Sequence, residues 1–292
     1  MHGWLVLDKP LGLGSTSAVN RCRRLLDAQK AGHAGTLDPL ASGVLPIAFG
    51  EATKCVAMLT AAEKGYDFTV RFGIATTSDD GEGEVVERSD VRPAPDAIVA
   101  ALPGFTGPIA QVPPAFSAIK VEGERAYNLA REGRAPDLEA RQVTVHQLDF
   151  LGMQDSDNAR FSLRCSKGTY VRSLARDLGR ALGVPACVAA IRRTRVGPFR
   201  IADAISLADF ESLCDKRGGL GALAPIETAL DDIPALALTG EQADRLRHGQ
   251  PVRVPDFTFG NDLVVCAMHD RRPVALARFA GDRIEPLRVF NL

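Results

Sequence analysis

The sequence predicts an α+β fold in which helices pack against one sheet, followed by a small β-rich domain. Two observations carry this prediction: strand-like and helix-like segments alternate through most of the chain, and mainly strand-like segments follow Ile233. The chain has 292 residues, of which 46% are hydrophobic and 24% charged, which suits one large domain and one small one. We therefore expect two domains, residues 1–232 and residues 233–292.

Hydrophobic patterns place the elements of the first domain in order. Gly3–Asp8 is predicted as a buried strand, and Ser15–Ser17 offer N-caps for the helix that follows. Apolar side chains alternate with polar ones in Phe68–Ile74 and in Arg160–Cys165, as they do in half-buried strands. Leucines at helical spacing then predict a helix that ends at Gly183.

Two further segments complete the organisation. Residues 111–137 begin with Gln-Val-Pro-Pro and carry basic side chains, which is typical of an extended arm inserted into a domain. A capped helix is predicted at Leu238–Gln250. Strands are predicted at Leu263–Met268, Pro273–Phe279 and Ile284–Phe290, and they make up the small β-rich domain.

Composition and motifs exclude several classes of protein. No apolar run approaches the roughly 18 residues of a membrane span, and the N-terminus lacks a secretory signal, so a cytoplasmic location is expected. The six cysteines are far apart, without a Cys-x-x-Cys pair, which predicts buried thiols in a reducing compartment. Gly12-Leu13-Gly14 matches only half of a dinucleotide-binding turn. We expect no metal and no nucleotide cofactor.

The net charge of −1 argues against a nucleic-acid partner, but the distribution of charge argues for one. Residues Ala159–Arg200 hold ten basic residues and one acidic residue, a formal charge of +9. Acids in the run Asp79–Asp90 and in the stretch Asp203–Asp232 offset it. This basic segment is typical of a surface that binds a phosphate backbone, and the alternative is a set of solvated helix and strand faces.

The segment Gly32–Pro46 (GHAGTLDPLASGVLP) is predicted as a fixed loop that carries chemistry. Its glycines and prolines break regular structure, while its leucines remain apolar enough to be buried. Asp38 precedes Pro39, which disfavours the helical conformation at residue 38 and holds the carboxylate on a rigid backbone. The alternatives are an ordinary Asp-Pro turn and, for His33, a structural or surface histidine.

A second segment, Cys165–Arg176 (CSKGTYVRSLAR), is predicted to present Tyr170 and Arg172 on one side of the chain before a helix starts. Arg172 could pair with a buried carboxylate and keep it ionised, as an attacking carboxylate near neutral pH requires. The alternative is a core tyrosine and a solvent-facing arginine. Tyr66 lies at the mouth of the Phe68 strand, where stacking on a flat ligand and packing at the edge of the core are both open.

Taken in order, the motifs of the first 200 residues resemble those of the tRNA pseudouridine-55 synthase family. The Asp-centred loop and the blocks PPAFSAIK and SKGTYVR carry the resemblance most specifically. The C-terminal piece resembles the small PUA-type RNA-binding domain. The matching motifs are LDKPLGLGSTS (Leu7–Ser17), AGHAGTLDPLASGVLP (Ala31–Pro46), GEATK (Gly50–Lys54), KGYDF (Lys64–Phe68), PPAFSAIKVEGERAYNLAREG (Pro113–Gly133), CSKGTYVRSLARDLG (Cys165–Gly179) and IRRTRVGPF (Ile191–Phe199).

The resemblance implies a pseudouridine synthase fold, with a mixed and mainly antiparallel central sheet flanked by helices and a PUA-like C-terminal domain. It also implies an isomerase that acts on the T stem-loop of tRNA. In that reaction the C1′–N1 bond of the uridine is broken, the uracil turns, and C1′ is rejoined to C5. Nothing is oxidised and nothing leaves, so the reaction needs no cofactor.

The resemblance also implies roles by position in the motifs. Asp38 is the catalytic carboxylate and Arg172 its partner, while Tyr66 stacks on the base and provides a route for the C5 proton. Tyr170 is a wall of the pocket, and His33 enters the space left by the flipped base. Further RNA-binding residues are expected at Lys9, Lys120, Arg125, Lys167, Arg192 and Arg193, with Lys9 bracing the loop rather than reacting. The arm closes over the T-loop, and the protein is expected to be a monomer.

Two other hypotheses compete with this one. A tRNA-binding or RNA-folding module without chemistry would also suit the basic segment, the arm and the second domain. A dinucleotide enzyme built on Gly12 and Gly14 would require a bound cofactor. The sequence departs from the family pattern at Gly14, Phe116 and Ile191, and Phe116 lacks the hydroxyl of the tyrosine that is common there. The charge pattern predicts that tRNA affinity falls steeply with added salt.

Overall fold

The computed structural model describes residues 1–117, 119–121, 123–134, 136–254, 260 and 262–292. The strands are β1 (Gly3–Lys9), β2 (Ala31–His33), β3 (Ala41–Phe49), β4 (Lys64–Phe72), β5 (Ile74–Thr76), β6 (Val85–Arg88), β7 (Gly107–Gln111), β8 (Lys120–Val121), β9 (Glu124–Arg125), β10 (Arg141–Met153), β11 (Asn158–Cys165), β12 (Ala186–Val196), β13 (Phe199–Arg200), β14 (Ile205–Ser206), β15 (Ala235–Ala237), β16 (Val252–Arg253), β17 (Val264–His269), β18 (Arg272–Ala280) and β19 (Arg283–Val289). The α-helices are α1 (Ser15–Leu25), α2 (Val56–Ala61), α3 (Pro95–Ala101), α4 (Ala126–Arg131), α5 (Val171–Ala181), α6 (Leu207–Asp215) and α7 (Gly240–Arg247).

The main sheet runs in the order β14-β1-β3-β12-β4-β11-β10-β7, with β2 and β13 attached to β3 and β12. Only the β1–β14 and β3–β12 pairs are parallel, and the other ladders of this sheet are antiparallel. The expectation of a mixed, mainly antiparallel sheet flanked by helices is therefore confirmed. The parallel β3–β12 pair brings the start of β3 beside Ile191 and Arg193 of β12.

One face of the main sheet is covered by helices. Phe68 and Val70 of β4 and Phe161 of β11 point to that face, and Leu174 and Leu178 of α5 pack onto them in one buried cluster. The same alternation turns the intervening residues of β4 and β11 to the opposite face. Because α5 packs on the middle of the sheet, its first turn lies close to the loops at one sheet end.

A second sheet, in the order β15-β17-β18-β19-β16, forms the β-rich C-terminal part with α7. The bounds of the predicted C-terminal helix and strands lie within three residues of the observed α7, β17, β18 and β19. The two sheets share a buried cluster in which Cys266, Leu276 and Phe290 pack with Trp4 and Val44 of the main sheet. The division after residue 232 stays a proposal, because the parts on either side of it are joined by this common core.

Two local expectations are corrected. The arm is not wholly extended, since it holds the β8–β9 hairpin and the six-residue helix α4. Ile74 belongs to β5 and not to the Phe68 strand, because Gly73 intervenes with a φ of +90°. Within the acidic run Asp79–Asp90, β6 pairs with β5. None of the described helices is long and apolar enough to cross a membrane.

Replacing Phe290 by alanine is expected to destabilise the chain by about 3–5 kcal/mol, because a large side chain that is 3% exposed leaves a cavity between the two sheets. Urea unfolding followed by fluorescence measures this directly, since Trp4 is the single tryptophan and lies in the same cluster. Leu292→Ala is the control, because Leu292 is 54% exposed. Equal unfolding midpoints for the two variants would show that the shared cluster does not join the sheets.

Candidate active site

Asp38 lies in the loop between β2 and β3, at the sheet end where β3 begins beside β12. Its side chain is 40% exposed, so the carboxylate is open to a ligand from solvent. The carbonyl of Asp38 accepts a hydrogen bond from the amide of Ala41 at 3.0 Å, which closes a turn around Pro39. The loop therefore holds the carboxylate at a fixed, accessible position, as its glycines and prolines predicted.

Ser15 of α1 holds the residue that precedes Asp38. Its hydroxyl donates to the carbonyl of Leu37 and accepts from the amide of Leu37, both at 2.8 Å, and Ser15 is 4% exposed. The amide of Gly12 donates to the carbonyl of Pro39 at 2.8 Å. The N-cap role expected for Ser15–Ser17 is wrong, because the N-cap residue is Gly14 and no side chain caps the helix. The hydroxyl of Ser15 serves the loop instead.

Arg172 joins two carboxylates from its position in the first turn of α5. Nη2 lies 2.9 Å from Oδ2 of Asp38 and donates to the carbonyl of Phe116 at 2.8 Å. Nη1 lies 3.4 Å from Oδ2 of Asp80 and donates to the carbonyl of Ser78 at 3.1 Å. The ion pair with Asp38 is the contact that the sequence suggested. Arg172 is 5% exposed and belongs to the helix, however, and does not precede it.

Asp80 is a site residue that the sequence did not indicate. It is 3% exposed, and its Oδ1 accepts hydrogen bonds from the hydroxyl of Ser78 at 2.5 Å and the amide of Glu82 at 3.1 Å. The neighbouring Asp79 pairs with Arg176 of α5 at 2.9 Å. The sequence indicates the run Asp79–Asp90 only as charge that offsets the basic segment. The feature that could have indicated Asp80 is the run of hydroxyl residues directly before two adjacent aspartates (TTSDD), because these hydroxyls can donate hydrogen bonds to buried carboxylates.

Tyr66 lies on β4, with Leu163 of β11 and Arg193 of β12 as its register partners. It points to the same sheet face as Phe68 and packs partly buried against the main core. Burial raises the pKa of the Tyr66 phenol, and the positive charge of Arg193 opposes that rise. The phenol is therefore neutral near neutral pH and lies beside a cation.

Tyr170 is the N-cap residue of α5 and is held by Gln111 at the end of β7. Oε1 of Gln111 accepts from the amide of Tyr170 at 2.7 Å, and Nε2 donates to the carbonyl of Tyr170 at 3.1 Å. Gln111 is 2% exposed, so this amide replaces solvent at the start of the helix. Burial raises the pKa of the Tyr170 phenol, and contact with the hydroxyl of Ser117 opposes the rise. Gln111 was not predicted, because an amide that binds one backbone unit leaves no sequence pattern.

His33 ends β2, a few residues before Asp38. Its Nδ1 is buried and has no hydrogen-bond partner of good geometry among the described residues. Burial and the positive charge of Arg193 lower the pKa of His33, and the backbone of Gly35 opposes them. The imidazole is therefore neutral at pH 7, and its Nδ1 is enclosed by the protein.

The prediction that Lys9 and Arg193 bind RNA is wrong. Lys9 is fully buried, and its Nζ donates to the carbonyls of Pro10 at 2.9 Å and Leu13 at 2.7 Å. Burial lowers the pKa of Lys9 to about 8. Arg193 is 1% exposed, and its guanidinium is bound by backbone carbonyls. Neither side chain reaches the surface, and the hydrogen bonds of Lys9 hold Pro10 and Leu13 of its own segment, so that Lys9 as a brace of the Asp38 loop stays a prediction.

The remaining predicted RNA-binding residues have different positions. Lys167 is exposed on the loop that leads to Tyr170. Arg192 is half-exposed and binds the carboxylate of Asp8 at 2.7 and 3.2 Å, on the opposite sheet face from Tyr66. The structure therefore does not bring Arg192 to the site. The backbones of Lys120 and Arg125 pair in the β8–β9 hairpin, and their side chains lie outside the described residues.

The basic segment Ala159–Arg200 does not form one face. Arg160 and Arg164 lie on the sheet face away from Tyr66, because their neighbours on β11 fill the core. Arg172 and Arg176 are neutralised by Asp38, Asp79, Asp80 and Asp177. The interpretation of the segment as a single phosphate-binding surface is therefore wrong. Its exposed residues without an acidic partner among the described residues are Arg160, Arg164, Lys167 and Arg200.

The arrangement defines what the site can do. A half-exposed carboxylate lies 2.9 Å from a buried guanidinium, which directs it as a nucleophile or base. A neutral phenol next to a cation can stack on a flat ring, and it can relay a proton only by giving up its own O–H proton as it receives another. A neutral, half-buried imidazole lies on β2, directly before the loop. These groups suit covalent or proton-transfer chemistry on a planar, uncharged ring.

Comparison with known proteins agrees with this chemistry. The model of the N-terminal domain of the TruB family of pseudouridylate synthases matches residues 23–171, and the model of the tRNA pseudouridylate synthase B C-terminal domain matches residues 172–231. A Gluconacetobacter diazotrophicus protein named tRNA pseudouridine synthase B is 52% identical over 297 residues, which cover 99% of this chain and 97% of the relative. A Caulobacter vibrioides protein of the same name is 50% identical over 300 residues, covering 100% and 97%.

Solved structures show the same architecture. A chain of an H/ACA ribonucleoprotein bound to a substrate RNA containing 2′-deoxyuridine superposes with a TM-score of 0.78 at 26% identity, over 99% of this chain and 85% of that chain. A chain of a Cbf5–Nop10–Gar1 complex superposes with a TM-score of 0.78 at 28% identity, over 98% and 84%.

The fold and the site thus define a pseudouridine synthase. The chain belongs to the TruB family of pseudouridylate synthases. Membership confirms the resemblance and the predicted fold, and it favours an isomerase over a binding module without chemistry.

Replacing Ser15 by alanine is expected to lower the single-turnover rate of uridine isomerisation by about tenfold or more, because Asp38 would lose the clamp on its neighbour Leu37. RNA affinity should stay near the wild-type value, since Ser15 is buried. Rates from rapid quench and affinities from filter binding separate the two effects. Ser17→Ala is the matched control, being an exposed serine in the same helical turn. A Ser15→Ala enzyme as fast as the control would show that the clamp does not position Asp38.

Proposed function

We propose that this protein converts the T-loop uridine at position 55 of tRNA to pseudouridine, with Asp38 as the catalytic carboxylate. The observation that carries the proposal is the 2.9 Å contact between the buried Arg172 guanidinium and Asp38, whose side chain stays 40% exposed. A carboxylate that is both fixed and accessible can act on a uridine brought from outside. A buried carboxylate, or a fully solvated one, could not do both.

The isomerisation is balanced without an added reactant. The C1′–N1 bond breaks, the uracil turns within the site, and a C1′–C5 bond forms. The C5 proton leaves to a base, and N1 gains a proton. Asp38 stabilises the detached sugar or adds to it, and Arg172 holds the carboxylate in a fixed direction through the step. The reaction needs no redox group, because the substrate and the product are isomers.

Tyr66 is proposed to stack on the uracil and to lie on the route of the C5 proton. Its phenol is neutral in the resting site, so it offers a flat face to the uracil, and it relays the C5 proton by giving up its own O–H proton to a base as it receives that proton. Tyr170 supplies another wall of the pocket and is itself fixed by Gln111. This division of roles places one tyrosine on the reacting ring and the other at its border.

His33 is proposed to fill the space that the flipped uridine leaves in the RNA. Its neutral, half-buried imidazole can stack between bases. Flipping a base costs a few kcal/mol and less from a loop than from a stem, which suits the T-loop as target.

The arm at residues 111–137 is proposed to close over the T-loop. It is tied to the site, because Arg172 binds the carbonyl of Phe116. The ring of Phe116 packs edge-on against Tyr127 at 5.9 Å, so the hydroxyl that this position lacks is replaced by an aromatic contact within the arm. We further propose that the protein acts as a monomer in the cytoplasm, that its C-terminal part is a PUA-like RNA-binding domain, and that the domain boundary falls after residue 232.

Asp38→Asn is expected to lower the rate of pseudouridine formation by at least about a thousandfold, because the neutral amide keeps the shape but loses the charge. Affinity for a T stem-loop RNA should change by less than about threefold. The measurement is release of tritium from RNA that carries 5-tritiated uridine, since the C5 proton is lost. Asp90→Asn, which changes an exposed aspartate, is the control. A variant that retains near wild-type turnover would contradict the assignment of Asp38.

Lys167→Met is expected to weaken tRNA binding and to reduce the slope of log Kd against log salt by about one, the effect of one lost phosphate contact. Arg160→Met should leave the slope unchanged, because Arg160 lies on the opposite sheet face from Tyr66. Filter binding between 50 and 300 mM salt, as a rough range, measures both slopes. Equal effects of the two substitutions would mean that RNA covers both faces of the sheet.

A further inference from the structure

Arg193 is a buried cation that the proposed reaction leaves without a role. It is 1% exposed and makes no ion pair with a carboxylate among the described residues. A buried charge is costly unless hydrogen bonds replace its hydration. Its guanidinium is satisfied by carbonyl oxygens: Nε donates to Val44 at 2.7 Å, Nη2 to Gly35 at 3.1 Å and Nη1 to Thr36 at 3.3 Å.

The three carbonyls belong to both sides of the catalytic loop. Gly35 and Thr36 precede Leu37 and Asp38, and Val44 follows them on β3. The planar guanidinium of Arg193 thus binds carbonyls at both ends of the loop. Among the side chains, only arginine offers donors in this rigid fork. Ser15 holds Leu37 from the α1 side, so the segment before Asp38 is fixed from two directions.

Two glycines, Gly43 and Gly35, lie against Arg193. A Cβ on Gly43 would lie 2.1 Å from the carbonyl oxygen of Arg193, and Gly43 has a φ of +101°. A Cβ on Gly35 would meet Nη1 of Arg193 at 3.4 Å. The close pairing of β3 with β12 therefore depends on the absence of a side chain at Gly43, whereas a Cβ on Gly35 would make only an ordinary van der Waals contact.

Arg193 also contacts Tyr66, its register partner on β4. The ionisable groups that face Tyr66 are Arg193 from β12, Cys165 from β11 and Asp38 from the loop. Burial, and after it the Arg193 charge, lowers the pKa of Lys9 and of Lys64, each to about 8. Arg193 is thus a buried positive charge close to several ionisable groups around the site.

We propose that Arg193 is the positioning residue that fixes the Asp38 loop and the Tyr66 phenol relative to each other, so that the carboxylate and the phenol face the same uracil. This inference rests on the proposed roles of Asp38 and Tyr66. The guanidinium reaches the loop with its three hydrogen bonds and the phenol by direct contact. Arg193 acts through these groups and does not touch the RNA.

The test compares Arg193→Lys with Arg92→Lys. Lysine keeps the charge but loses the fork. Arg92 is a matched control, because it also donates to two carbonyls, those of Ser89 at 2.7 Å and Val91 at 2.8 Å, and lies against a glycine, Gly73. Arg193→Met is made in parallel, and the experiment uses whichever Arg193 variant keeps the wild-type circular dichroism spectrum and cooperative melting.

The expected result has two parts. The single-turnover rate on a T stem-loop RNA should fall by about tenfold or more for the Arg193 variant, with Kd unchanged within about threefold, while Arg92→Lys stays near wild type. The protein contains three tyrosines, so labelling them with ¹³C at Cζ gives three signals, of which Tyr66→Phe identifies one. In Arg193→Met the Tyr66 signal should titrate at higher pH, because the cation has been removed from the phenol, whereas Arg193→Lys keeps the charge and tests the loss of the fork through the rate.

Two outcomes would overturn the inference. An Arg193 variant that reacts as fast as Arg92→Lys, with an unchanged Tyr66 titration, would mean that the Arg193 guanidinium positions neither the Asp38 loop nor Tyr66. A loss that falls on Kd alone would mean that Arg193 binds RNA after all. An inactive Asp38→Asn beside a fully active Arg193 variant refutes this inference only. An active Asp38→Asn refutes the assignment on which it rests.

Discussion

The structure depends on one buried guanidinium held between two carboxylates. Arg172 binds the half-exposed Asp38 on one side and the buried Asp80 on the other. The buried pair alone would be a poor source of stability, since desolvation offsets much of the attraction. Its value lies in geometry: Asp80 fixes the guanidinium, and the guanidinium then presents a directed positive charge to a carboxylate that solvent and substrate can still reach.

The fold brings this contact about from four distant parts of the chain. Asp38 lies in the β2–β3 loop, Arg172 begins α5, Asp80 lies between β5 and β6, and Phe116 lies in the arm. The parallel pairing of β3 with β12 and the packing of α5 on the sheet set the distances among them. Polar clamps at the backbone, from Ser15 and Gln111, then remove the remaining freedom of the loop and of the helix start.

Charge in this protein has to be considered face by face. The +9 segment suggested a single RNA-binding surface, but strand alternation turns part of it to the far side of the sheet and helix α5 carries part of it inward. Acids that are distant in sequence neutralise the inward part. The same geometry explains why Arg193 and its neighbour Arg192, adjacent in sequence, have opposite environments: β12 points one to the core and the other to Asp8.

The sequence by itself determined the α+β class, the order of the principal strands and helices, the Asp38 loop and the family, because these depend on local periodicity and on contiguous motifs. It also indicated Tyr66, Tyr170 and Arg172 by their place in those motifs. Only the tertiary structure decided that Asp80 backs Arg172, that Ser15 and Gln111 clamp backbone groups, and that Lys9 and Arg193 are internal cations. The physical reason is that burial and hydrogen-bond partners arise between segments far apart in the chain, and a residue's type does not state which face of its strand will be covered.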